Sequence, residues 1–528
     1  MEGFLATQVR LVEILIVVSL VAVVARQLRL PYTVALVLAG LGLTLQTRIH
    51  LELTPQLVLA VFLPPLVFEA AFHLQFRGLR EDLGPILALA IPGVVLSTAL
   101  IGLLLFATGI LPLPAALLFG SLISATDPVA VTATFKALGA PRRLSTLVEG
   151  ESLFNDGTAI VIFQIVLGLV LSGSLSPTQG IVDFLRVSAG GLAVGFIFGY
   201  AVVQLVGRID DHLIETTLTT ILAYGSYLLA EEFHLSGVLA VVMAGLINGN
   251  IGQARMSPTT RIVLFSFWEY VAFLANSLVF LLIGMNVVVT ELIRYLWPAL
   301  IAVGVVLLVR CIAVYGLGLL ILLFKRELSL SHLHVLVWGG LRGAVSLALA
   351  LSLPFALAER QQLLAMTFGV VLFTLLAQAT TISLVLKWLG FTRRAESAVA
   401  YERLQGELLA VRAARRHIDR LHEEGALVPR AWATVREELE RKEEQVLAAI
   451  DDLLAAYPEL QTEVVTIARR EALRAERAAL AGLARDGLLS EEIMHQLQAE
   501  VDAALQTPYE VLERPKVAEP STPETAAA

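Results

Sequence analysis

The chain has 528 residues, 57% apolar and only 16% charged, with a net charge of −8 and a mean hydropathy of +0.78. Soluble chains average about 45–50% apolar and about 25% charged residues, so the surplus needs a bilayer as its solvent. No basic stripe exists to bind nucleic acid, and Cys311, the single cysteine, excludes an intramolecular disulfide framework or a thiolate metal site.

Residues 1–391 carry 20 Lys/Arg and 20 Asp/Glu, and residues 392–528 the other 18 and 26, so the acidic excess belongs to a polar tail. A hydrocarbon core about 30 Å thick takes roughly 20 apolar residues per helix. By that ruler residues 1–391 hold about thirteen spans, near 8–26, 31–47, 55–74, 84–110, 113–138, 145–172, 179–207, 213–230, 235–251, 259–288, 292–324, 330–354 and 361–391. The first lacks a basic n-region and a convincing cleavage site, so a span and not a removed leader is expected. The odd-numbered connections then share one side with the tail. They hold Arg26, Arg29, Arg77, Arg80, Lys136, Arg142, Arg143, Arg208, Arg255, Arg261, Lys325, Arg326, Arg393 and Arg394. The opposite side holds Arg48, Arg294 and Arg360. This bias puts the amino terminus outside a cell (inner) membrane and the tail in the cytoplasm.

Two spans cannot run comfortably as unbroken helices. Span 5 carries Ser124-Ala125-Thr126-Asp127-Pro128, where the proline lacks a donor and pushes its predecessor out of the helical region. Span 12 carries Gly339-Gly340-Leu341-Arg342-Gly343, three glycines and a charge in mid-membrane. They lie seven spans apart, at the same place in spans 1–6 and 8–13, and Leu66-Val67-Phe68 in span 3 recurs as Leu278-Val279-Phe280 in span 10. Interrupted segments at matching places in two halves point to a transporter binding site, and an odd separation makes the repeat inverted. The expected fold is an all-α polytopic membrane protein with two inverted six-helix repeats, crossed broken helices 5 and 12, and a helical tail. The alternative is that membrane helices merely tolerate glycine and proline here.

Ionisable residues inside apolar spans are costly and are functional candidates by default. In span 6, Ser152 and Asp156 are i,i+4 neighbours on one helix face, and Glu151 and Asn155 pair on the adjoining face. Span 3 adds Glu69, span 5 Asp127, span 11 Arg310 and span 12 Arg342. Carboxylates with a hydroxyl and freed backbone carbonyls make an oxygen-rich pocket suited to a hard cation.

At these residues the chain resembles the monovalent cation/proton antiporters. Glu151-Ser152-Leu153-Phe154-Asn155-Asp156-Gly157, Ser124-Ala125-Thr126-Asp127-Pro128 and Trp338-Gly339-Gly340-Leu341-Arg342-Gly343-Ala344-Val345 carry the resemblance. It is strongest to the sodium/proton exchanger branch that includes the animal exchangers and the archaeal NhaP-type proteins, and it spans residues from about 8 to 391. The resemblance implies a thirteen-helix inverted-repeat fold, a homodimer, and movement of a core bundle against a dimerisation bundle. It also implies exchange of sodium or lithium for protons, with roles in pH and sodium homeostasis. It carries the cation/proton site onto Asp156, Glu69, Ser152 and the backbone oxygen of Thr126. Asn155 neighbours that aspartate, and a structural pairing of the helix-6 acid and asparagine with the helix-12 arginine falls on Glu151, Asn155 and Arg342.

Physics leads to related roles. A carboxylate among apolar helices holds a proton or a cation, not both, and that competition at Asp156 couples the two flows. Where helices 5 and 12 break, half-helix N-termini point positive ends inward and C-termini negative ends. Asp127 is placed to offset the former and Arg310 the latter. The residues also allow Asp156 and Glu69 simply to pair with Arg310 or Arg342. Asn155 cannot carry a proton, so one cation for one proton, an electroneutral cycle, is expected.

Other polar residues carry weaker signals. His73, His332 and His334 read as interface-facing, Arg142 and Arg143 as obeying the orientation bias, Glu13 as lying in span 1, Glu269 after Phe267-Trp268 as interfacial, and Asn248-Gly249-Asn250 as a turn closing span 9. The tail is expected to form cytoplasmic helices at 396–424, 429–456, 459–485 and 489–505, with Glu437–Arg441 and Glu438–Lys442 as i,i+4 pairs. This gives a transport domain at 1–391, a helical tail at 392–505 that is regulatory or a spacer, and a disordered end at 506–528. No Gly-x-Gly-x-x-Gly follows a strand; no cofactor and no enzymatic reaction are expected. Potassium/proton exchange is the alternative, since the same oxygens serve either ion. A channel would show a carbonyl filter or an acid ring, and neither is found.

Overall fold

The computed structural model describes the chain except residues 1, 29–30, 47–53, 173–176, 207, 210, 257, 325–328, 486–487 and 507–528. The segment expected to be disordered lies, from residue 507 on, outside the described residues, as do Arg29, Arg48, Lys325 and Arg326. Two compact units are present, residues 1–392 and 393–528, and every regular element among the described residues is a helix.

The first unit begins with α1 (Glu2–Leu28) and α2 (Tyr32–Gln46). A π-helical turn at Leu57–Phe62 leads into α3 (Leu63–His73), whose Pro64 and Pro65 sit in the first turn, where a missing N–H costs nothing. α4 (Phe76–Glu81), α5 (Leu83–Ala90) and α6 (Pro92–Ala107) follow. The expected span 84–110 is therefore broken at Ile91, because Pro92 has no N–H to continue α5. α7 (Leu113–Ile123) and α8 (Val129–Leu138) are the halves of span 5, and α9 (Arg142–Ser172) is span 6. α10 (Pro177–Val206), α11 (His212–Glu232), α12 (Gly237–Asn250) and α13 (Pro258–Met285) come next, then α14 (Val289–Arg294) and α15 (Leu296–Phe324). α16 (Leu330–Trp338) and α17 (Ala344–Leu351) are the halves of span 12. α18 (Arg360–Phe373) and α19 (Ala379–Trp388) are joined by a π-helical stretch, Thr374–Gln378. Each expected span thus coincides with a helix or an interrupted pair. Six helical stretches among the described residues, Leu83–Ala107 across the Ile91 break being one, are long and apolar enough to cross a membrane.

Small residues bring the apolar helices together. Cβ atoms at Gly40 and Gly284 would run into the facing backbone, with Met285 N 2.9 Å from the former and Leu41 N 3.0 Å from the latter. α2 and α13 therefore pack backbone to backbone, which is how helices associate where water supplies no hydrophobic drive. Hydrogen bonds lock the same seam: Tyr32 Oη and Ser277 Oγ lie 2.8 Å apart, and Thr44 Oγ1 donates to Met285 O at 2.8 Å.

Trp268 is fully buried, 4.5 Å from Phe68, and donates to Thr219 Oγ1 at 3.1 Å, while Glu269 beside it is exposed, in line with an interfacial place. Two readings change. Residues 248–250 are the last helical residues of α12 and not a turn. Arg143 does more than follow the orientation bias. It holds the buried Asp82 through two nitrogens, at 2.7 and 3.0 Å.

The second unit holds α20 (Phe391–Glu423) from its third residue on, then α21 (Pro429–Ala456), α22 (Pro458–Arg485) and α23 (Glu491–Gln506). Gly425, at φ +75°, turns the chain after α20. Long side chains tie α20 to α21: Arg412 and Arg415 each reach Glu443 at 2.7 Å, and Trp432 Nε1 donates to Asp419 at 2.9 Å. The Arg412 hydrogen bond, with both guanidiniums beside it, holds the Glu443 carboxyl below the usual carboxylate range. Glu437–Arg441 pairs within α21 at 3.3 Å, whereas Lys442 reaches Glu407 of α20 at 3.2 Å and not Glu438, because the neighbouring helix offers a carboxylate.

Replacing Gly284 by Val forces α2 off α13 and should cost about 1–3 kcal/mol. Purified protein in detergent should melt several degrees lower; an unchanged melting temperature would contradict the backbone-close seam.

Candidate functional site

The broken helices meet break to break. Residues 124–128 and 339–343 are non-helical, and Asp127 N donates across the crossing to Leu341 O at 2.9 Å. Four helix ends face one another inside the protein, and each carries unpaired backbone groups and a partial charge. At the C-terminal end of α7, Arg342 Nη1 donates to Ser124 O at 3.1 Å and Ala125 O at 3.0 Å. At that of α16, Arg310 Nη2 donates to Leu336 O at 2.8 Å. The N-terminal ends of α8 and α17 share Asp127. Its Oδ1 accepts from Val129 N at 3.0 Å, and its carboxylate lies so close over Gly343, which precedes α17, that no Cβ fits there.

Helix α9 supplies the rest. Asn155, 1% exposed, accepts from Thr126 N at 3.2 Å and donates to Thr126 Oγ1 at 2.6 Å, clamping the unwound stretch through both amide atoms. Thr126 Oγ1 also lies 2.8 Å from Ser152 Oγ. Asp156, one turn beyond Ser152, makes no hydrogen bond or ion pair with any described residue, and Asp127 is within its electrostatic reach. Hydroxyls, a freed backbone and an uncommitted carboxylate thus converge at the crossing, a set of hard oxygen donors.

The structure brings Thr126, Asp127, Ser152, Asn155, Asp156, Arg310 and Arg342 to this crossing. On α3 the Glu69 carboxylate lies 3.2 Å from His73 Nδ1, and its charged surroundings are Lys136, Glu269 and Glu149. The expected pairing of Glu151 with Arg342 is corrected. Glu151, 2% exposed, is held by both terminal nitrogens of Arg310, with Nη2 to Oε2 at 3.0 Å, while the Arg342 guanidinium is engaged by the carbonyls of Ser124 and Ala125 just past α7. These three side chains line a small polar cavity with Ser97, Ser124 and Asn155. Sequence reading did not find Thr374, whose Oγ1 accepts from Arg342 N at 3.1 Å; a threonine in an apolar run carries no signal of a π-helical bend.

A double-mutant cycle separates the two arginines. Glu151→Ala and Arg310→Ala should each destabilise by about 3–5 kcal/mol and be coupled by about 1–3 kcal/mol. Glu151→Ala with Arg342→Ala should be nearly additive in the same unfolding assay, and the reverse pattern would restore Arg342 as the partner.

The transmembrane sodium/hydrogen exchanger family profile matches residues 14–388. The Na(+)/H(+) antiporter ApNhaP of Aphanothece halophytica is 39% identical over 477 residues, 89% of this chain and 91% of the relative. The Na(+)/H(+) antiporter NhaH of Halobacillus aidingensis is 39% identical over 407 residues, 74% of this chain and 100% of the relative. Among solved structures, the sodium proton antiporter MjNhaP1 of Methanocaldococcus jannaschii shares the fold with a TM-score of 0.61, at 23% identity, covering 74% of this chain and 100% of that one. The crossed, broken helices stand within the matched residues, and the chain belongs to the sodium/hydrogen exchanger family of multi-pass membrane proteins.

Proposed function

We propose that the chain exchanges sodium for protons across the cell membrane, one for one, with Asp156 as the carboxylate for which the two ions compete. The observation that carries this reading is that Asp156 alone among the acids at the crossing has no committed partner: Glu151 is held by Arg310 and Asp127 serves two helix ends. A carboxylate in that setting holds a proton or a cation, and release of one by binding of the other links the two fluxes. Ser152 and Thr126 add oxygen ligands beside it. Glu69, seated near Lys136 and Glu149, contributes as a further cation ligand of the same site. Asn155, Arg310 and Arg342 keep the crossing intact while the site changes occupant. Thirteen crossings, an external amino terminus, a cytoplasmic tail and a homodimer complete the proposal, supported by family membership and by the loop bias of basic residues.

Asp156→Asn preserves shape and removes the exchangeable proton. In proteoliposomes it should abolish sodium-driven proton movement while leaving the melting temperature close to that of the parent; near-normal exchange would end the assignment.

Neutrality has its own test. Asn155, tied to Thr126 through both amide atoms, adds no second titrating group. Transport under an imposed membrane potential, with sodium and pH gradients fixed, should reach the same endpoint at every voltage. An endpoint displaced as two protons per cation require would replace the one-for-one stoichiometry.

A further inference from the structure

His73 closes α3 one turn after Glu69. Its Nδ1 lies 2.9 Å from Glu69 O and 3.2 Å from Glu69 Oε1. The backbone carbonyl can only accept, so Nδ1 carries the hydrogen and donates to Glu69 O, with Oε1 in contact at 3.2 Å. The ring is steered from two sides: Phe265 of α13 meets it edge-on at 4.7 Å and 86°, and Phe72 at 5.9 Å and 76°. Its donor direction is therefore set by a second helix and not by α3 alone. Neither carboxylate oxygen of Glu69 accepts a hydrogen bond from a described residue, and only Oε1 is in contact with His73.

We infer that His73 is a positioning residue for Glu69. Anchored by its bond to the Glu69 carbonyl and standing 3.2 Å from Oε1, the ring restricts the carboxylate to one rotamer and leaves Oε2 available to a cation. The inference rests on the proposed role of Glu69 as a cation ligand. Groups facing His73 from neighbouring elements are Lys136 on α8, Glu149 on α9 and Glu269 on α13. Fixing one carboxylate in advance spares the ordering of a flexible side chain when the ion arrives, and that ordering otherwise weakens binding. The effect belongs to apparent affinity, not to the translocation rate.

The test compares full-length protein in proteoliposomes carrying His73→Phe, His73→Asn, His73→Ala or Glu69→Gln, with sodium varied at fixed pH. His73→Phe keeps an aromatic ring and loses the donor; His73→Asn keeps a donor and loses the ring. We expect His73→Phe and His73→Ala to raise the half-maximal sodium concentration about three- to tenfold, with maximal rates within about twofold of the parent. His73→Asn should restore the parent value. Should the phenylalanine variant behave as the parent and the asparagine variant fail, His73 acts by packing and the inference is overturned. It is overturned alone, leaving the role of Glu69 standing, if Glu69→Gln raises the half-maximal concentration and no His73 variant does. If Glu69→Gln leaves that concentration unchanged, Glu69 is not a ligand and the inference falls with it. Melting temperatures measured alongside identify any variant that has lost its fold, and the remaining His73 substitutions then decide.

Discussion

Four helix ends meet inside apolar surroundings, and nothing there can solvate them except the protein itself. An unpaired backbone group away from water costs several kcal/mol, about the amount that forbids irregular structure in a bilayer. The broken pairs α7/α8 and α16/α17 are tolerated because Arg342, Arg310 and Asp127 each take one or two of those ends. Signs match throughout: guanidiniums stand at the two negative ends and a carboxylate between the two positive ones. The breaks in turn free Thr126 to turn its backbone and hydroxyl toward Ser152 and Asn155.

This arrangement divides the charges by task. Glu151, Arg310, Arg342 and Asp127 are consumed in holding the crossing. Asp156 is left without a committed partner, and on the proposed reading it is the group that changes state. Removing any of the committed charges should therefore damage the fold and transport together, whereas altering Asp156 separates the two.

Around the crossing the apolar helices are joined by close backbone approach, as at Gly40 and Gly284, and by hydrogen bonds such as that between Tyr32 and Ser277. The second unit uses a different chemistry. There long charged side chains make the helix-to-helix contact: Arg412 and Arg415 grip Glu443, and Trp432 reaches Asp419.

Much of this was legible in the residues. Length and hydropathy placed the helices; Pro128 and the glycines at 339, 340 and 343 marked both interruptions; the i,i+4 spacing put Ser152 and Asp156 on one face. Such features are local, set by backbone chemistry and helical periodicity, so one chain of letters contains them. Partners across the fold are another matter. The residues could not tell whether Glu151 meets Arg310 or Arg342, whether Lys442 turns to Glu438 or Glu407, that Asp82 claims Arg143, or that Glu69 stands beside His73. Each of those choices depends on which helix faces which and by how much it is rotated. Packing of the whole bundle decides that, and a buried charge then takes the partner that packing puts within its reach.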